Sequence, residues 1–241
     1  MRAAKARLDK VVALLLSRGA RVDARDQAGR GVLACASQSA SVLQRLLDHE
    51  RSGPSSEMVR QLDLCDRSGR TPLVLALWGG HHPDAAEVLI RAGADVLPRD
   101  NCVNDALSTA ASYDTTAYLI SLFVEKGALV NPSNSPHPLL AAAGSGSLAG
   151  VKVLLEHGAQ PDAGMTIELQ YSGRRTGLPL ICAISDDNVD IARALLEGGA
   201  SVELALLRHK DLLHLCWRNN AMAMIELLHE FGAAKWENYQ A

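Results

Sequence analysis

Asp66-Arg67-Ser68-Gly69-Arg70-Thr71-Pro72-Leu73-Val74-Leu75-Ala76, followed by Gly79-Gly80-His81 and then by Val88-Leu89-Ile90-Arg91-Ala92-Gly93-Ala94-Asp95-Val96, is the stretch that decides how this chain is read. Thr71 has the chemistry of a helix N-cap, and Pro72 fits the first turn, where a missing N–H costs nothing. Gly93 stands where an outer helix should stop, a place that favours a left-handed residue. Two short helices joined by a Gly-His turn are the result.

The ending recurs along the chain. Gly-Ala follows a leucine-rich run at Gly19-Ala20, Gly93-Ala94, Gly127-Ala128, Gly158-Ala159, Gly199-Ala200 and Gly232-Ala233. From Gly93 onward the intervals are 34, 31, 41 and 33 residues, and the 74 residues between Gly19 and Gly93 hide a further copy. A period near the low thirties means stacked repeats. The opening recurs as well, with altered letters, at Gly31 to Ala36, Asp105 to Ala110, His137 to Ala142, Leu178 to Ala183 and Asp211 to Cys216.

These motifs closely resemble the ankyrin repeat: a Thr-Pro-Leu-x-x-Ala opening, a Gly-His at the helix-helix turn and a closing Leu-Leu-x-x-Gly-Ala-Asp-Val. The resemblance covers nearly the whole chain. It implies an all-α solenoid of helix-turn-helix units with β-hairpin fingers, and a single domain over residues 1–241. Repeats are expected at about 26–65, 66–99, 100–133, 134–163, 173–203 and 206–236, after a partial repeat at 1–25. Insertions fall at about 50–65 and 164–175. In the second, Ile167, Leu169 and Tyr171 alternate with polar residues before Ser172-Gly173, the pattern of a strand entering a turn. The partial repeat is expected to lack an inner helix. Its one helix, about Ala3 to Ser17, should pack through Leu8, Val11, Val12 and Leu15 onto the repeat containing Leu33 and Leu46, leaving some apolar surface open.

Composition agrees with such a fold. Of the 241 residues 48% are hydrophobic but only 4% aromatic, so the core rests on Leu, Ala and Val. A net charge of −3 argues against a general nucleic-acid binder. The longest aliphatic run, Val11 to Leu16, is far short of the ~20 residues that span a bilayer. Arg2, Lys5, Arg7 and Lys10 ahead of an apolar run have the outline of a targeting peptide, but Asp9 interrupts them and the run leads directly into a repeat ending. Five cysteines without a C-x-x-C pair suit a reducing compartment, so a cytoplasmic location, or the nucleus, is expected.

Chemistry is hard to find. Cys35, Cys182 and Cys216 occupy inner-helix positions of small buried hydrophobes, whereas Cys102 precedes an inner helix and is expected to be exposed. His214 fits the slot of a structural histidine, and His81 the helix-helix turn. No set of residues has metal-ligand spacing. The chain contains no nucleophile elbow, no phosphate-binding loop and no H-E-x-x-H; Gly144-Ser145-Gly146-Ser147 is in register with a helix-helix turn. No catalytic residue, metal or cofactor is expected.

The resemblance implies partner binding on the fingers and the exposed side of the inner helices. Carried over residue by residue, the positions expected to meet a partner are Arg67, Arg70, Trp78, Asn101, Asn104, Ser112, Tyr113, Arg174, Arg175 and Arg218. With Arg30, Arg208 and Lys210 the finger and inner-helix positions hold eight basic residues against one acid, Asp186. That asymmetry tilts the partner toward an acidic or phosphorylated segment of another protein. Trp78 and Tyr113 are the expected anchors, since such rings dominate binding hot spots; Trp217 is expected to pack on the final repeat. The leading reading is a monomeric, non-enzymatic interaction module, a scaffold, adaptor or inhibitor. The alternative is the substrate-recruiting part of an enzyme whose catalytic domain lies elsewhere; a polyanion binder fits least, for want of an aromatic stacking ladder.

Overall fold

The computed structural model describes residues 1–51, 61–97, 106–132, 137–163, 177–209 and 212–233. The chain divides into two compact units, residues 1–110 with 121–128, and residues 111–120 with 129–241. Two helices, α7 (Ala106–Ala111) and α8 (Leu119–Glu125), contribute residues to both.

The first unit contains α1 (Arg2–Lys5), α2 (Asp9–Ser17), α3 (Val32–Ala36), α4 (Ala40–Arg51), α5 (Pro72–Leu77) and α6 (Pro83–Arg91). The inner helices α1, α3 and α5 stack in one row, and the outer helices α2, α4 and α6 in a second. Between the rows Leu33, Leu43, Leu46, Leu73, Leu77, Leu89 and Ile90 are fully buried. Thr71 caps α5 as its sequence implied, its Oγ1 accepting the Val74 N–H at 3.3 Å, with Pro72 in the first turn. Buried Gln61 ties the first two repeats together: its Oε1 accepts the Val32 N–H at 2.9 Å and its Nε2 donates to the Val22 carbonyl.

In the second unit α9 (Pro138–Ser145), α11 (Pro179–Ser185) and α14 (Leu212–Arg218) form the inner row, and α10 (Leu148–Glu156), α12 (Val189–Glu197) and α15 (Met222–Glu230) the outer row. Adjacent repeats are joined through backbone groups that would otherwise lack partners. Asn131 accepts the Gln160 N–H and donates to the Gly158 carbonyl, both at 2.9 Å, while Asp162 accepts the Ser201 N–H. Asp95 N–H bonds to Asp63 in the first unit in the same way.

Four expectations need correction. The first repeat does have an inner helix, the single turn α1, because the chain breaks at Arg7, which adopts a left-handed φ of 56°. As a result α2 packs on α4 through Val12 and Leu16, while Leu8, Val11 and Leu15 stay 48%, 41% and 45% exposed. The stripe read from Leu8 lies beside the buried face rather than on it. Arg208, expected among the finger and inner-helix positions of the last repeat, instead ends a helix, α13 (Val202–Arg208), started by Ser201, whose Oγ accepts the Leu204 N–H at 3.1 Å. Finally, the described fingers are tight turns, not strand ladders: Asp26 N–H bonds to the Arg30 carbonyl and Gly29 N–H to the Asp26 carbonyl. No strand occurs among the described residues. The expected hairpin at 164–175 lies outside them.

Two glycines test the frame for different reasons. Gly127 has φ 92° with nothing within 4 Å of where a Cβ would stand, so Gly127→Val should cost roughly 1 kcal/mol or more from backbone strain alone. At Gly150, inside α10, a Cβ would collide with the backbone carbonyl of Ala111, and Gly150→Ala should cost about 1–3 kcal/mol by overpacking. Urea melts of both variants measure this; an unchanged midpoint in either would contradict the stated cause.

Candidate protein-binding surface

The two described fingers are built identically. In the first, Asp26 Oδ1 accepts the N–H groups of Ala28 and Arg30, each at 2.9 Å, and Oδ2 receives the Arg30 guanidinium at 2.7 Å. In the second, Asp66 accepts from Ser68 and Arg70 at 2.8 and 3.0 Å, and its other oxygen takes the Arg70 guanidinium at 2.9 Å. Gly29 and Gly69 complete the turns with φ 79° and 75°. Arg67 N–H donates to the Ala28 carbonyl at 2.9 Å, so the first finger is laced to the second.

This lacing presents an aromatic ring. Arg70, fixed below by Asp66, places its guanidinium carbon 5.8 Å from the centroid of the Trp78 ring, a cation–π distance. Trp78 remains 52% exposed. Arg67, next to Asp66 on the finger, is also exposed. Of the ten residues expected to meet a partner, the structure therefore brings Arg70 and Trp78 into contact.

The other expected residues divide in two. In the second unit Ser112 and Tyr113 are half-buried just after α7, where the Tyr113 carbonyl accepts from the backbone and hydroxyl of Thr116; Arg218, the last residue of α14, is exposed. Asn101, Asn104, Arg174 and Arg175 lie outside the described residues, as does Cys102. Sequence reasoning missed two groups. Tyr118 is 52% exposed at the start of α8, and Arg7 at the tip of the first turn reaches Gln38 at 3.2 Å and His82 at 3.4 Å. An aromatic residue inside a repeat was the available sign for Tyr118; for Arg7 the sign was hidden by reading α1 and α2 as one helix.

Residues 1–100 match the family described as ankyrin repeats, in 3 copies. Over residues 1–100 the chain carries ankyrin repeats. It is 34% identical over 116 residues to the ankyrin repeat and KH domain-containing protein mask-1 of Caenorhabditis elegans, covering 46% of this chain and 4% of that protein. To the B-cell lymphoma 3 protein homolog of Mus musculus it is 30% identical over 179 residues, covering 72% of this chain and 38% of that one. Among solved structures it resembles the human ASB11 ankyrin repeat domain, with TM-score 0.68, 20% identity and 83% of each chain covered. It also resembles the ankyrin repeat domain of Bcl-3, a member of the IkappaB protein family, with TM-score 0.58, 25% identity, 83% of this chain and 85% of that one.

Ankyrin repeats bind proteins, and the remaining polar groups of this chain follow from the repeat frame. Cys35, Cys182 and Cys216 are buried as expected. Burial, with Asp187 nearby, pushes the Cys216 thiol up to about 11, and burial with Asp26 raises that of Cys35, so neither is disposed to form a thiolate. Among the described residues no group of three or more His, Cys, Asp or Glu is arranged to hold a metal ion, and no helix is long and apolar enough to cross a membrane. Trp217, expected to pack on the final repeat, is half exposed at the margin of the α14 face defined by buried Leu212, Leu213 and Cys216, and His214 is exposed on the same helix.

The finger carboxylates set a pH dependence. Hydrogen bonds from the Arg30 guanidinium, partly opposed by burial, hold the Asp26 carboxyl down at about 2. For Asp66 burial alone would raise it, but the Arg70 and Ser68 N–H groups and the Arg70 guanidinium prevail and lower it. A carboxyl whose folded pKa is depressed stabilises fully above its unfolded value, about 3.9, and loses that contribution as pH falls. Stability measured by urea melts should therefore decline between about pH 4 and pH 2, and Asp26→Asn should flatten the slope while lowering stability at pH 7. An equal slope in the variant would show that the finger pair does not carry the effect.

Proposed function

We propose that the chain is a non-enzymatic interaction module, a scaffold, adaptor or inhibitor, that holds another protein against its fingers and inner helices. The observation that carries this reading is Trp78, an open indole set on the Asp66–Arg70 pair. A large ring held in place yet uncovered is the kind of group that anchors a partner at low entropic cost. Likeness to Bcl-3 and ASB11 ankyrin domains supports the general role. Because the chain spans only 4% and 38% of the curated relatives it matches, what those whole proteins do is not carried over.

The partner's segment is acidic or phosphorylated, on a smaller charge basis than the sequence alone implied. Arg30 and Arg70 are already engaged by Asp26 and Asp66, which leaves exposed Arg67 as the cation that the two described fingers offer a partner's anion. The module works as a monomer in the cytoplasm or nucleus, in keeping with cysteines that form no disulfide among the described residues.

Affinity capture with the intact chain, followed by titration of the captured partner, tests the reading. Trp78→Ala should weaken binding by about 2 kcal/mol, and Arg67→Glu should slow association with a reduced salt dependence. Unchanged affinity in a Trp78→Ala protein that melts normally would remove this surface from the proposal.

A further inference from the structure

The first repeat leaves a face that neither the fingers nor the repeat stack uses. Helix α2 buries Val12 and Leu16 against α4, and beside that face Leu8, Val11, Leu14 and Leu15 remain open, with Leu14 56% exposed. Their spacing, i, i+3 and i+7 from Leu8 with Leu14 adjoining, is a ridge of helical pitch. Next to it lies a small hollow lined by Met1, Ala3, Ala4, Leu15, Leu16 and Val22, a recess for one apolar side chain. An open ridge of this kind is unusual on a soluble surface unless something covers it.

Charge selects the occupant. Residues 1–22 hold Arg2, Lys5, Arg7, Lys10, Arg18 and Arg21 against one acid, Asp9. Asp9 is engaged by Arg45 at 2.7 Å and by the Ser41 hydroxyl, so it neutralises none of the six. Arg21 pairs with Asp23, and Arg7 reaches Gln38 and His82. Arg2, Lys5, Lys10 and Arg18 are exposed and make no ion pair among the described residues. On α2, Lys10 and Arg18 stand four residues before and after Leu14, so cations bracket the apolar ridge.

We infer that the open side of α2 is a second docking surface, independent of the finger surface, and that its occupant is an acidic amphipathic helix of another protein. Such a helix lays apolar side chains along Leu8, Val11 and Leu15 while its flanking carboxylates face Lys10 and Arg18. A second copy of this chain is a poor occupant, because a two-fold pairing would set Lys10 and Arg18 against their own counterparts.

A labelled synthetic helix of about 14 residues, four turns, with leucines at helical spacing and flanking glutamates, tests this by fluorescence anisotropy with the intact chain. A twin with lysines in place of the glutamates is the control. The acidic peptide should bind, more weakly as salt rises, and the basic twin should not. Leu15→Asp and the double variant Lys10→Glu/Arg18→Glu should each weaken binding at least about tenfold, whereas Leu129→Asp, also at an exposed leucine, should not. Thermal melts identify any variant that fails to fold; the double charge variant, altering only exposed side chains, then decides alone. Equal binding of both peptides, or of neither, would overturn the inference. So would concentration-dependent dimers in sedimentation that Leu15→Asp abolishes, or binding to phosphatidylserine vesicles with no preference between the peptides.

Discussion

Every outer helix described through its end closes with the same pair of hydrogen bonds, and the stacking depends on it. At Gly93-Ala94 the Gly N–H donates to the Ile90 carbonyl and the Ala N–H to the Leu89 carbonyl; the same offsets recur at Gly19-Ala20, Gly127-Ala128, Gly158-Ala159, Gly199-Ala200 and Gly232-Ala233. This is the Schellman closure, in which the first residue is left-handed and the second tucks its side chain back onto the helix. Both letters are thereby explained. Glycine carries φ from 72° to 98° at these sites, and the alanine is buried everywhere except in the first repeat, where Ala20 is exposed at the edge. A larger residue in place of the alanine would hold neighbouring helices apart.

The same closure ends several inner helices, with a different choice of residue. Arg7, Gly146, Asp187 and Asn220 take the left-handed position, and the residue after each donates to a carbonyl five residues back. Asn and Asp tolerate that region, whereas arginine bears most of the cost of its Cβ. Several repeats thus reverse direction by one backbone device used twice. At the outer turns the left-handed residue is glycine throughout, with φ from 72° to 98°, whereas the inner turns also take Arg7, Asp187 and Asn220 at φ 52° to 57°.

That difference accounts for what could be read from the letters. Gly-Ala endings stand out in a single sequence, so the outer helices, the Thr71 cap and the positive φ of Gly93, Gly127 and Gly199 were all accessible. The inner turn carries no such letter at Arg7, which is why one helix was expected where two exist, and why the buried face of α2 was misplaced by part of a turn. Trp217 was placed less well for a related reason: position in the motif suggested packing, but the face of α14 is set by Leu212, Leu213 and Cys216. Of the binding surface, residue identity revealed Trp78 as a candidate, while its support by Asp66 and Arg70 is a property of the folded finger.

That support also changes the meaning of the basic finger row. Counting residues treats Arg30 and Arg70 as charge offered to a partner, yet each is paired with the aspartate that shapes its own turn, and Arg70 is turned toward an indole. Their positive charge is largely compensated at short range, so their effect on a partner passes through geometry. If Arg70 were merely a surface cation, losing it would alter salt dependence. Because it sits between buried Asp66 and open Trp78, losing it unpairs the carboxylate and releases the ring together. The finger that holds the repeats in register is therefore also the part that presents the anchor, and stability and recognition in this chain share the same few atoms.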